Sequence, residues 1–265
     1  MTGRSPAPDH HRPGDATGRE PGPVDPRPPA EYQESAQRIF GDRLPLAIRY
    51  AELLMTDGVV RGLIGPREAP RIWERHLLNC AVVAELIEQD ARVADVGSGA
   101  GLPGIVLAVA RPDLSVILVE PLARRTAFLL EAATVLGLDR TTVVRARAEE
   151  CVPGRGESRF ELADVVTARA VAPLDRLTAW CLPLAATGGR VLALKGESAV
   201  EEVEAHRDVI AGLGGGSPVV RKCGVGLLAS PTTVIEITRV SAVEGRSRSG
   251  HSRPGRRAHG SRARH

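Results

Sequence analysis

A chain of 265 residues that is 43% hydrophobic can bury one large core, and with 3% aromatics that core must be mostly Val, Leu, Ala and Ile. Cys80, Cys151, Cys181 and Cys223 never form a C-x-x-C pair, which argues against a zinc site or a secreted disulfide framework and points to a reducing cytoplasm. The net charge of +3 is unevenly spread, and the longest apolar run, Ile105 to Ala110, is too short to span a bilayer.

Residues 1–30 hold eight of the twenty prolines and read as a disordered tail. Residues 31–90 read as a helical cap. Ala36, Ile39 and Phe40, then Leu46, Tyr50, Leu53 and Leu54, recur at helical spacing. Pro70 opens a further helix with Ile72, Trp73, His76, Leu77 and Cys80 along one stripe. From Arg92 strands alternate with helices. The expected strands are Val93–Val96, Ser115–Glu120, Thr142–Ala146, Ala163–Ala168 and Arg190–Leu194, with helices near 102–110, 122–137, 173–184 and 198–210. Pro218–Cys223 and Thr232–Val240 are separated by a Gly-containing stretch and predict an antiparallel hairpin. Residues 91–240 thus predict an α/β domain: a doubly wound, mostly parallel sheet with an N-terminal helical cap and a C-terminal hairpin. Residues 241–265 carry seven arginines against one acid and form a disordered basic tail, either solubilising or able to contact phosphates. The body between the tails is mildly acidic, with 24 basic and 27 acidic residues over 31–240.

An apolar run ends at Asp95, and Gly97, Gly99, Gly101 and Gly104 follow before a helical pattern begins. Such a turn admits positive φ and leaves the next helix's amides facing a ligand, as at the first strand of a nucleotide-binding sheet. Gly99 to Gly104 formally fits the G-x-G-x-x-G of nicotinamide dehydrogenases. Asp95 to Gly101 fits D-x-G-x-G-x-G, the first motif of S-adenosylmethionine (SAM) methyltransferases. Asp95 beside the glycines suits a cationic ligand better than a pyrophosphate. Glu120, ending the second strand, suits the ribose hydroxyls in either class. Arg147-Ala148-Glu149-Glu150 falls after the third strand, where a methyltransferase contacts adenine. Glu120 and Glu149 could also be ordinary loop acids, but the balance favours SAM over NAD.

Asp95-Val-Gly-Ser-Gly-Ala-Gly-Leu-Pro-Gly104-Ile resembles the signature of the glucose-inhibited division protein B family, bacterial methyltransferases of guanine N7 in the 530 loop of 16S ribosomal RNA. Further segments match in order: Glu74-Arg75-His76-Leu77-Leu78-Asn79; Val119-Glu120-Pro121 with Arg124-Arg125 and Phe128-Leu129; Ala146 to Glu150; Val166 to Leu174 around Arg169; and Ala193-Leu-Lys195-Gly196. The resemblance runs from about 45 to 240. It implies SAM contacts at Gly97, Leu102, Ala148, Glu149 and Arg169, with Glu120 on the ribose and Asp95, Gly99 and Gly101 completing the turn. Between Val60 and Ala69 the chain departs from the family, reading Arg61-Gly-Leu-Ile-Gly-Pro-Arg-Glu68 where many members carry an Asn-Leu-Thr turn.

Guanine N7 bears a lone pair and no proton, so its methylation needs alignment and shielding from water rather than a general base. The lack of a Ser-His-Asp or Cys-His set fits, and no cysteine sits in the Pro-Cys motif of cytosine-5 enzymes. Arg169, after the fourth strand, is the candidate contact to cofactor or guanine, with a structural salt bridge as the alternative. Lys195, one of two lysines, could hold a phosphate or the O6 edge. His76, Arg124 and Arg125 are further candidates for RNA contact, against core or exposed-helix roles. Arg38, Arg43, Arg49, Arg71 and Arg75 could add to a local positive field. The expected partner is 16S rRNA or the small ribosomal subunit; the expected protein is a cytoplasmic monomer without metal or membrane segment. Competing readings are a SAM methyltransferase of a small molecule or protein, a non-catalytic RNA-binding assembly factor and, more distantly, a dehydrogenase.

Overall fold

Arg92–Val96 (β1) and Ser115–Val119 (β2) are nearly unbroken apolar runs, buried beyond their first residue, as strands covered on both faces must be. In the computed structural model, which describes residues 25–153, 161–169 and 172–241, they pair in parallel with each other. Thr141–Val144 (β3), Ala163–Arg169 (β4) and Ala185–Lys195 (β5) extend the parallel sheet. Val219–Cys223 (β6) and Thr232–Thr238 (β7) form an antiparallel pair, and β7 inserts beside β5. The order is β3-β2-β1-β4-β5-β7-β6. Most of both expected tails, 1–24 and 242–265, lies outside the described residues.

The helices are Gln33–Phe40 (α1), Leu44–Leu53 (α2), the single turn Asn79–Ala81 (α3), Gly104–Ala110 (α4), Ala123–Val135 (α5), Leu174–Cys181 (α6) and Ala199–Gly212 (α7). One apolar layer joins α1, α2, α4, α5 and the cap to Val93, Val116, Leu118 and Val165. The opposite face of the sheet, through Ala94, Ile117, Val119 and Val166, packs on α6 and α7. All four cysteines are buried and none is in a disulfide among the described residues. No helix among those residues is long and apolar enough to cross a membrane.

Two local differences from the expected elements have physical causes. β5 starts at Ala185 rather than Arg190, because Ala185-Ala-Thr-Gly-Gly189 has no apolar alternation and joins β4 only across a register shift between Ala163 and Val165. The stripe through Ile72, Trp73, His76 and Leu77 is helical and buried, but Ile72–Leu78 has wide π-type turns between the tight turns Ala69–Arg71 and Val82–Leu86. Apolar spacing alone does not separate these from α-turns.

The cap reaches the glycine turn directly. The hydroxyl of Tyr50, fully buried, donates to the Ala100 carbonyl at 2.6 Å, and burial holds the phenol in its neutral form by raising its pKa well above the ordinary value. Gly104 at the start of α4 lies so close to β1 and β2 that an added Cβ would strike the Leu118 side chain and sit 2.8 Å from Asp95 Oδ2. Gly104→Ala should therefore lower stability by about 1–3 kcal/mol, the scale of overpacking a tight core. Urea unfolding read by circular dichroism measures it; an unchanged midpoint would show that α4 can shift freely.

Candidate active site

The sheet order reverses between β1 and β4, and ligands of doubly wound sheets bind outside the carboxyl ends of the strands at such a point. A cavity of about 560 Å³ opens there. Its walls are the turn Gly97–Ala100 after β1, Glu120–Leu122 after β2, Ala146–Glu149 after β3 and Arg169 at the end of β4. Leu63, Ile64 and His76 of the cap and Trp180 of α6 complete it. Of the residues expected from sequence, Gly97, Gly99, Leu102, Glu120, Ala148, Glu149, Arg169, His76 and Arg125 meet on this lining. Asp95, Gly101, Arg124 and Lys195 do not.

Asp95 lies beneath the turn. It is wholly buried, its Oδ1 accepting from Thr167 Oγ1 at 2.9 Å and its Oδ2 from the Gly104 amide at 3.1 Å. Burial raises its pKa to about 6, against the lowering effect of those two hydrogen bonds. The carboxylate thus ties β1, β4 and the start of α4 together rather than facing a ligand. Above it Gly97 and Gly99 adopt φ of 69° and 58°, a conformation a side chain would strain, and their backbone forms the cavity floor.

Glu120 is 1% exposed, yet it borders the cavity. Its Oε2 accepts from the Gly99 amide and its Oε1 from the Leu122 amide, both at 3.0 Å, and Arg125 approaches to 3.7 Å. An ionised carboxylate offers about four lone-pair sites, so capacity remains for two hydroxyls. Ala148 and Glu149 occupy a short turn whose first amide, of Arg147, is held by Glu150 at 3.2 Å. Trp180 faces this end of the cavity, with the Arg176 guanidinium 5.2 Å from its ring centroid. Sequence reasoning missed Trp180, Leu63 and Ile64. Trp180 had one available signal, as one of two tryptophans placed near a helix end. Leu63 and Ile64 had none, being apolar residues of an irregular loop.

Arg169 is held on two sides. Its Nη1 donates to Cys80 Sγ at 3.0 Å and its Nη2 meets His76 Nδ1 at 2.5 Å. Beyond the ring, His76 Nε2 contacts Glu68 Oε2 at 3.1 Å, and Arg75 pairs with Glu68 Oε1 at 2.9 Å. Burial, then the Arg169 charge, lowers the His76 pKa to about 4, so the ring is neutral. Burial alone would raise the Glu68 pKa; Arg75 and His76 outweigh it and lower it instead.

Lys195 points elsewhere, its ammonium 2.6 Å from Glu202 Oε2 on α7 and 3.1 Å from the Ala172 carbonyl. Arg124 is exposed on α5. Several arginines expected to build a positive field are engaged internally: Arg43 donates to the Val109 carbonyl, Arg49 pairs with Glu52, Arg71 with Glu74 and Arg75 with Glu68.

The sheet order, the glycine turn and the acid after β2 define the architecture of a SAM-dependent methyltransferase. Residues 43–226 match the family described as GidB, rRNA small subunit methyltransferase G. "Ribosomal RNA small subunit methyltransferase G" of Salinispora tropica is 62% identical over 92% of this chain and 100% of its own length. That of Rhodococcus jostii is 56% identical over 80% of this chain and 92% of its own. A solved rRNA methylase from Streptococcus thermophilus overlays with a TM-score of 0.43 at 13% identity, over 62% of this chain and 95% of that one. This chain belongs to the rRNA small subunit methyltransferase G family.

The two buried groups give opposite pH dependences. His76 has a folded pKa of about 4 against an ordinary 6.5, so the unfolded chain binds its proton first, and this contribution to stability rises from pH 4 to 6.5 and is complete above. Asp95, at about 6 folded against 3.8, favours the folded state most at low pH, and its contribution falls as pH rises through 6. His76→Gln removes only the first. The stability of the wild type minus that of His76→Gln, from urea titrations at each pH, should grow by about 1–3 kcal/mol from pH 4 to 6.5 and then level off. A difference independent of pH would mean that the ring titrates normally in the folded chain.

Proposed function

We propose that this protein transfers the methyl group of SAM to N7 of a guanine in the 530 loop of 16S rRNA. The observation that carries the reading is the single cavity wall on which Glu120, the glycine turn, Ala148-Glu149 and Arg169 converge. Family membership supplies the reaction class and the ribosomal substrate.

SAM brings a methyl carbon made electrophilic by its sulfonium; the protein must hold, orient and keep water away. The remaining lone pairs of Glu120 suit the ribose hydroxyls. The Ala148 backbone and the Glu149 side chain suit the adenine edge, beside the Trp180 ring. Leu63 and Ile64 add apolar side chains to the lining, which would help keep water from a bound donor. On this reading Arg169, which lines the cavity, donates to the O6 edge beside the attacking N7; N7 needs no base because it carries no proton. Cys80 is buried against Arg169, in keeping with a packing role rather than covalent addition to a base. A base in folded RNA must leave its stack to enter such a cavity. On this reading Arg125, which lines the cavity, and exposed Arg124 meet the phosphate backbone. Lys195 would reach substrate only by releasing Glu202. The same reading makes the protein cytoplasmic and monomeric, so sedimentation should give the 28.1 kDa of one chain.

Mass spectrometry of 16S rRNA fragments from cells with and without the gene tests the proposal. Deletion should remove one 7-methylguanosine from the 530-loop fragment. The wild-type gene should restore it, whereas Arg169→Ala should lower methylation by about 100-fold, the scale for losing an aligned donor. An unchanged modification map after deletion would refute the rRNA assignment.

A further inference from the structure

Glu68 lies just before the short helical turn Ala69–Arg71, and it closes a continuous chain of contacts into the cavity. An arginine can only donate hydrogen bonds, so the His76 Nδ1 that meets Arg169 must be the acceptor. The proton of the neutral ring then sits on Nε2, where it donates to Glu68 Oε2 at 3.1 Å. Cys80 Sγ fixes the guanidinium from the second side. Of the five N–H donors of Arg169, two are used by these contacts, and no other partner is seen among the described residues. The titratable and charged groups around the ring are Glu68 and Arg75 in the cap, Arg169 on β4 and the Cys80 thiol beside the guanidinium.

We propose that Glu68 is a positioning residue. By fixing His76 as the Nε2–H tautomer it makes Nδ1 a permanent acceptor, which aims the remaining N–H groups of Arg169 into the cavity. The inference rests on the methyl-transfer reading for its kinetic consequence, but not for the tautomer. Glu68 touches neither substrate nor cofactor; it acts through His76. Leu63 and Ile64 of the same loop line the cavity, so the loop meets the site in two ways.

The test uses the full chain, with long-range proton–nitrogen spectra of the histidine rings and steady-state methylation of small subunits lacking the modification. The His76 signals are assigned by their loss in His76→Gln. At pH 7 wild type and Glu68→Gln, which keeps an acceptor oxygen, should both show Nε2–H, whereas Glu68→Ala should show mixed tautomers. Glu68→Ala should lower kcat about tenfold in a chain that stays folded at the assay temperature, Glu68→Gln should recover most of that loss, and Glu68→Ala should cost nothing further in an Arg169→Lys background. An Nδ1–H ring in the wild type would overturn the proposal, as would full kcat in Glu68→Ala or additive losses with Arg169→Lys. A wild type that methylates nothing would instead refute the methyl-transfer reading, and the spectra would still decide the tautomer.

Discussion

The buried carboxylate of Asp95 is the constraint on which the rest of the site depends. It sits at the carboxyl end of β1, bonded on one side to β4 through Thr167 and on the other to the first amide of α4. Those elements meet where the sheet order reverses, so one side chain sets the width of the crevice in which a ligand must lie. Burial opposes its ionisation, and the two donors oppose that burial. Breaking either bond would leave a buried polar group unsatisfied. Gly104 belongs to the same arrangement, since only a residue without Cβ fits against Leu118 and the carboxylate. The glycines of the motif thus divide their work: Gly97 and Gly99 shape the cavity floor, while Gly101 and Gly104 allow packing beneath it.

Much of this was legible in the sequence because the parallel strands are buried on both faces and stand out as apolar runs. The turn after β1 and the acid after β2 could be placed from spacing alone, and Glu120 and Gly99 prove to be bonded directly. The role of Asp95 was harder to see. Its position beside the glycines suggests a ligand contact, and only the packing of α4 shows it turned inward. Lys195 is a candidate because it ends the fifth strand in a segment that matches the family, but Glu202, seven residues later on α7, lies within 2.6 Å of its ammonium. Pairings across such gaps leave no periodic trace. The same holds for Leu63, Ile64 and Glu68, whose loop has no regular structure to betray which side chains turn inward.

The electrostatics refine the expected mode of RNA contact. Residues 31–240 are mildly acidic as a whole, and the arginines that could supply a local positive field include Arg49, Arg71 and Arg75, yet each of these three is matched by a nearby glutamate. Each of these guanidinium groups thus carries a carboxylate neighbour, which offsets part of its charge. The cavity lining itself mixes both signs, with Arg125, Arg147 and Arg169 beside Glu120 and Glu149, and Arg125 lies 3.7 Å from Glu120.

The central claim is that the crevice above Asp95 holds the methyl donor with its ribose on Glu120. A crystal structure with S-adenosylhomocysteine tests it most directly. The account predicts both ribose hydroxyls within hydrogen-bond distance of the Glu120 carboxylate, with the Gly99 and Leu122 amides still bonded to it, and the adenine beside Ala148 and Trp180. A ligand bound outside this cavity, or a ribose turned away from Glu120, would contradict it.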